Sequence, residues 1–211
     1  MHRLNRRSLL TGVSATAAAA ALAGCTTTGP GTASSSGWRM TKPGDYRPNY
    51  QRAEVQYLTE EPPGTIVIDP STHYLFLVQA GGKARRYGIA VGDESHGWAG
   101  VARINSKQEW PNWYPTPEIL QRQPQLGARL SKLQGGQGVR GGPENPLGAR
   151  ALYLWHDNKD TLYRIHGTNE PWTIGQNVSS GCIRLVNDDV IDLYNRTPVG
   201  TKVVVLPTRF I

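Results

Sequence analysis

The sequence predicts a mainly β fold with one or two short helices, on three observations. Short runs of β-branched and aromatic residues recur, each bounded by Gly, Pro, Asn, Asp or Ser. Only one segment of any length, Asn187–Arg196, carries a clear helical pattern. The middle of the chain is rich in Trp, Pro, Gly and Gln and has weak periodicity, and no internal repeat is evident.

In chain order, TIVID (65–69) and HYLFLVQ (73–79) read as strands separated by Pro-Ser-Thr, and AGGK (80–83) supplies turn residues before ARRYGIAVG (84–92). This is a β-meander. Further strands are expected at ALYLW (151–155), TLYRIH (161–166) and TKVVVL (201–206), with HDNKD as the turn between the first two. In NDDVIDLYNR (187–196), Asn187 is expected to cap, and Asp188 and Asp189 favour the positive helix end. Val190, Leu193 and Tyr194 form the apolar face, and Pro198 stops the helix. A second short helix is expected at TPEIL, with Thr116 as N-cap and Pro117 in its first turn. Residues 105–147 are too many for a plain connection, so a lid-like insertion is expected.

The N-terminus places Arg3, Arg6 and Arg7 before an Ala-rich apolar stretch that ends in LAGC, the layout of a secretory signal. Thr11, Gly12, Ser14 and Thr16 make that stretch a poor permanent membrane span. NRRSLL resembles a twin-arginine signal, and LAGC resembles a lipobox in which Cys25 is lipidated. The alternative is an ordinary secretory signal with an incidental cysteine. Three parts are expected: a signal over 1–24, a flexible tether and transitional segment over 25–63, and a catalytic domain over 64–211. Residues 26–44, mostly Thr, Ser, Gly and Pro, cannot bury enough apolar surface to order themselves. Losing the three signal arginines lowers the formal charge from +7 to +4, a mildly basic balance that suits an anionic polymer. No block of like charge or RNA-binding aromatic signature points to nucleic acid.

Two cysteines occur, Cys25 and Cys182. If Cys25 is acylated, Cys182 has no partner in the chain and is either a reactive thiol or a buried inert one. A thiol is nucleophilic as thiolate, and a histidine such as His166 can take its proton. The SSGC turn, Ser179, Ser180, Gly181 and Cys182, can converge backbone amides on one oxyanion. No C-x-x-C or H-E-x-x-H spacing suggests a metal site, and no cofactor fingerprint is present. His73, His96 and His156 read as packing or solvent-facing residues. Trp98, Trp110, Trp113 and Trp155 read as core or lid packing, and Trp172, inside the His–Cys segment, is expected to touch substrate.

HGTN followed by IGQNVSSGCIRL resembles the signature of the L,D-transpeptidases with the YkuD-type catalytic domain. The resemblance extends through WPNWYPTPEI, GGPENPLGARALYL and NDDVIDLYNRTPVGTKVVVL, over about residues 64–206. It implies a YkuD-like β-sandwich and an exported enzyme that acts on peptidoglycan stem peptides without a cofactor. Cys182 is then the nucleophile, His166 its base and acid, and the Gly167 carbonyl the group that orients the imidazole. Gly181 and Cys182 amides line the oxyanion hole, and Ser179 shapes the turn. Arg184 either holds a substrate carboxylate or ties the loop to the domain. A neighbouring imidazolium is expected to lower the Cys182 pKa. Since the Gly167 contact is a backbone carbonyl, Gly167→Ala is expected to do less than His166→Ala, unless the glycine needs a conformation alanine cannot take. Two departures stand out: Ser180 replaces a histidine common in the family, and WAGVARI (98–104) replaces a TPxGxF strand. The expected location is the periplasm, as a monomer anchored by lipid, with the outer membrane favoured over the inner. Hydrolysis at the same site, as an L,D-carboxypeptidase or cross-link-cleaving peptidase, and a silent wall-tethering lipoprotein are the alternatives.

Overall fold

The computed structural model describes residues 48–92, 98–179 and 182–208, all within one unit spanning Ser35–Ile211. Its strands are β1 (Ala53–Gln56), β2 (Ile66–Asp69), β3 (Tyr74–Gln79), β4 (Lys83–Gly88), β5 (Val91–Gly92), β6 (Gly100–Glu109), β7 (Ser131–Leu133), β8 (Gly136–Gly138), β9 (Arg150–His156), β10 (Lys159–His166), β11 (Asn177–Ser179), β12 (Ile183–Arg184) and β13 (Lys202–Val205). The helices are α1 (Pro117–Arg122) and α2 (Asn187–Arg196), with short 3-10 turns between. The mainly β expectation is met.

Nine strands form one sheet in the order β1-β4-β3-β2-β13-β6-β9-β10-β12. Alternation decides what it buries. Leu75 and Leu77 of β3 point inward, as do Val203 and Val205 of β13, while Tyr74 and Phe76 are only half-buried. One core cluster joins Ile66, Leu75 and Tyr87 from one end of the strand order to Leu152, Ile165 and Ile183 from the other. The sheet therefore folds over on itself, and its two halves face each other across the core. Val190 and Leu193 of α2 complete that core. The fold-over is closed by hydrogen bonds. Ala90, just past β4, exchanges both backbone bonds with Arg184 of β12, each at 2.9 Å.

Three expectations change. The folded chain starts ahead of residue 64: β1 pairs antiparallel with β4 over Ala53–Gln56, so part of the expected transitional segment is a sheet edge. The N-cap of α2 is Val186, with no side-chain cap bond, because the Asn187 side chain is used elsewhere. Residues 105–109 belong to β6, a ten-residue strand that lacks an unbroken alternation because its register against β9 shifts between Ile104 and Ser106. α1 is as read, with Thr116 Oγ1 accepting from the Ile119 amide and Pro117 opening the helix.

The insertion runs from the end of β6 to β9 and carries α1, a 3-10 turn and the β7–β8 hairpin. No residue of α1 or of the 3-10 turn Pro124–Arg129 is buried. Its neck is held by Asn145, fully buried. The Asn145 Nδ2 group donates to the carbonyls of Pro111, Val139 and Arg140, at 3.0, 2.9 and 3.1 Å. Its Oδ1 accepts from the Leu147 amide at 2.8 Å.

Candidate active site

β10 and β9 form a hairpin through Asp157 and Asn158, both at positive φ, the backbone of a two-residue turn that matches strand twist. β10 then continues to His166 and pairs in parallel with β12, Ile165 opposite Ile183 and His166 opposite Arg184. The Leu185 amide donates to the His166 carbonyl at 2.9 Å, and the Gly167 amide to the Arg150 carbonyl at 3.0 Å. Ile165 and Ile183 turn into the core. The two-residue period therefore puts Arg164, His166 and Arg184 on the opposite face, and Cys182, immediately before β12, falls with them.

His166 is 4% exposed, and its Nδ1 lies 2.5 Å from the Gly167 carbonyl oxygen. A carbonyl can only accept, so Nδ1 carries the proton, and the neutral ring presents its lone pair at Nε2. Burial, with Arg184 and Arg164 nearby, lowers the imidazole pKa to about 3, against a raising contribution from the Gly167 carbonyl. Cys182 is partly exposed. Burial pushes its thiol up, and a backbone hydrogen bond from Arg164, then the Arg164 and Arg184 charges, work the other way. Both directions run against the expected imidazolium–thiolate pair. Desolvation penalises both charges and favours the neutral thiol and neutral imidazole.

Asn187 ties the residue after Gly167 to the chain entering β9. Asn187 Nδ2 donates to the Thr168 carbonyl and Oδ1 accepts from the Ala149 amide, both at 2.9 Å. The strand ends at Gly148 and Gly167 cross so closely that a Cβ at either would collide with Asn187 Oδ1. Arg184 Nη1 pairs with Glu170 at 3.1 Å, the loop-tying alternative of its two expected roles. Arg164 makes two bonds to Asp160, at 2.7 and 2.8 Å, and lies over the Tyr153 ring. A two-residue irregularity in β10, where Leu162 takes φ 63°, separates Asp160 from Arg164 in register.

Trp172 is 60% exposed in the turn Pro171–Thr173, so its ring is open to a ligand. Ser179 ends β11, which pairs in parallel with β5. Ser180, Gly181, Cys25 and His96 lie outside the described residues. His73 meets Asn177 Oδ1 at 2.8 Å and His156 Nδ1 meets the Val101 carbonyl at 2.7 Å. A cleft is lined by Val91, Trp98, Tyr163, Ile183 and Val205, and neither His166 nor Cys182 lines it. Sequence reading missed Arg164 and Asn187. Arg164 was within reach, since it stands two residues before His166 on a strand. Asn187 was not, because a helix-start asparagine reads as a cap.

Two outcomes follow from this geometry. His166 binds a proton near pH 6.5 when unfolded and near pH 3 when folded. Within that window the unfolded state holds more protons, so acidification from pH 6.5 toward 3 removes stability. Denaturant midpoints of the wild type should fall more steeply over this range than those of His166→Gln, and equal slopes would contradict the buried neutral imidazole. The second outcome concerns Gly167→Ala. Its methyl meets Asn187 Oδ1, the Ala149 amide at 3.0 Å and Gly148 Cα at 3.2 Å. A stability loss of about 1–3 kcal/mol by urea denaturation is expected, and a variant as stable as wild type would show that the crossing has slack.

The model of the YkuD family, L,D-transpeptidase catalytic domain, matches residues 63–205. "Probable L,D-transpeptidase ErfK/SrfK" of Escherichia coli K12 is 42% identical over 106 residues, which cover 50% of this chain and 31% of that protein. "Probable L,D-transpeptidase YbiS" of the same strain is 39% identical over 103 residues, 49% of this chain and 30% of that one. The chain thus spans about a third of the length of these curated relatives. A crystal structure from Brucella melitensis, described as a "Probable carnitine operon oxidoreductase caia", is 50% identical. The match covers 76% of this chain and 96% of that one, with a TM-score of 0.50. That description concerns the Brucella protein. The match over 63–205 spans more than half of the present sequence, and the chain belongs to the YkuD family of L,D-transpeptidase catalytic domains.

Proposed function

We propose that this chain is a cysteine-dependent L,D-transpeptidase acting on peptidoglycan stem peptides, exported to the periplasm and held there by lipid on Cys25. The observation that carries the reading is the His166 tautomer. With Nδ1–H committed to the Gly167 carbonyl, Nε2 is the free base on the face of the β10–β12 pair shared with Cys182. Family membership and the named relatives support the same chemistry.

The Cys182 sulfur attacks the carbonyl before the terminal D-Ala of a tetrapeptide stem. The S–H proton moves to His166 Nε2 as the S–C bond forms, so thiolate and imidazolium appear only as the reaction needs them. The charge on the carbonyl oxygen is met by the amides of Gly181 and Cys182, the arrangement implied by the family motif. Nε2 returns the proton to the departing D-Ala amine as the C–N bond breaks, leaving a thioester. The side-chain amine of a neighbouring stem's diamino acid then attacks that thioester. Its proton passes by way of Nε2 back to sulfur, and the thiol is regenerated. One peptide bond is exchanged for another, and no nucleotide is consumed. Trp172, exposed in its turn, contacts the stem in this reading, and Arg184, paired with Glu170, ties the loop or receives a substrate carboxylate by exchange.

Two measurements test the proposal. Purified enzyme incubated with muropeptides should give cross-linked dimers and free D-Ala by mass spectrometry, and Cys182→Ala should give neither while remaining folded. Cys182→Ser should be nearly as inactive, because a hydroxyl ionises far less readily beside the same imidazole. Trimmed monomers alone would replace transpeptidation by hydrolysis, and turnover by Cys182→Ala would remove the nucleophile. For the anchor, wild type should take up palmitate and Cys25→Ala should be released in soluble form with unaltered catalysis. An unlabelled wild type would sink the lipid anchor.

A further inference from the structure

The residues just ahead of the family domain are built into the fold in an unexpected place. Pro48–Tyr50 form a 3-10 turn and β1 follows, all before residue 63, where the family match begins. Tyr50 packs against Ala90, Ile174 and Val186, each at most 1% exposed, which form a core cluster separate from the main one. Those three residues bracket the Cys182 loop. Ile174 precedes it, Val186 follows it, and Ala90 is the residue that exchanges both backbone bonds with Arg184. Two glycines make room for the residue. A Cβ at Gly175, which sits at φ +85°, would collide with the Tyr50 ring, and one at Gly88 would collide with the Tyr50 backbone.

The segment is fastened on both sides of that ring. Tyr74 donates its hydroxyl proton to the Asn49 carbonyl at 2.9 Å, and its ring lies 5.4 Å from that of Tyr50. Arg52 reaches across to α2, with Nη1 at 3.3 Å from Asp189 Oδ1 and 3.6 Å from Asp192 Oδ2. β1 then locks the register through Ala53–Arg86 and Glu54–Arg85. The Cys182 loop gains little support from β11 and β12, which are three and two residues long. A bulky ring behind both flanks supplies what these short strands do not.

We infer that residues 48–56 are a strap whose Tyr50 side chain holds the Cys182 loop from behind, making Tyr50 a positioning residue for the reaction. The inference rests on the proposed role of Cys182, but the strap is also read independently of it. Tyr50 touches no reacting atom. It acts by packing, so its ring matters and its hydroxyl does not.

The test uses the whole mature chain with Tyr50→Ala and Tyr50→Phe, and two readouts. Amide exchange at Ala90, Gly175 and Arg184 should quicken at least about tenfold in Tyr50→Ala, while the β6–β9 amides keep wild-type protection. Acylation of Cys182 by a carbapenem, followed by peptide mass, should slow by about tenfold or more, the scale on which a displaced nucleophile loses rate. Tyr50→Phe should restore both to within about twofold. Should Tyr50→Ala fail to fold, Tyr50→Leu takes its place, with intermediate values expected in both readouts. Wild-type exchange and acylation in the alanine or leucine variant would overturn the strap and leave Cys182 as nucleophile. A wild type that no carbapenem acylates, with normal exchange effects at Tyr50, would overturn the catalytic reading and with it the positioning role. A phenylalanine variant as slow as alanine would overturn the packing account.

Discussion

The site depends on a strand of two residues bonded on both edges. Ile183 and Arg184 pair in parallel with the end of β10, and Arg184 pairs again with Ala90 on the other side. The first pairing sets His166 and Cys182 on one face. The second closes the curled sheet and fixes how far β12 stands from β4. Since neighbouring strands lie about 4.8 Å apart, these pairings set the backbone spacing at β12, the strand that Cys182 enters. Core burial of Ile165, Ile183 and Leu185 sets the register, because a slip by one residue would turn those side chains outward.

Electrostatics at the site are governed by exclusion of water more than by pairing. His166 has two guanidinium groups nearby and a carbonyl on Nδ1, and burial still dominates its proton affinity. The arginines oppose an imidazolium and favour a thiolate, so they act on the two partners in opposite directions. Their own charges are absorbed by Asp160 and Glu170. An uncharged thiol and imidazole cost less to bury than an ion pair would.

Most of the strand content was legible because it depends on side-chain type. TIVID, HYLFLVQ, ALYLW and TKVVVL all became strands, and their Ile, Leu and Val residues fill the core. The strands that escaped are those with poor composition. β7 and β8 are Ser-Lys-Leu and Gly-Gln-Gly, β12 is two residues long, and β1 alternates Ala, Glu, Val and Gln at an exposed edge. Each is made by its partner's hydrogen bonds, which a local pattern does not carry. The site residues were visible as a motif, but their charge state was not. The pKa directions follow from burial contributed by the whole sheet, and the Asn187 contacts join residues 38 and 19 positions apart.

The insertion between β6 and β9 is fastened at its neck by one buried amide and contributes nothing from α1 or its 3-10 turn to the core. Sequence change there is therefore nearly uncoupled from the free energy of folding, while Asn169 and Arg129, both bonded to the Glu144 carbonyl, keep the insertion against the turn that follows His166. Such a module is free to drift in shape at constant scaffold. Divergence among proteins of this architecture should accumulate in this insertion, and the sheet behind it should stay constant.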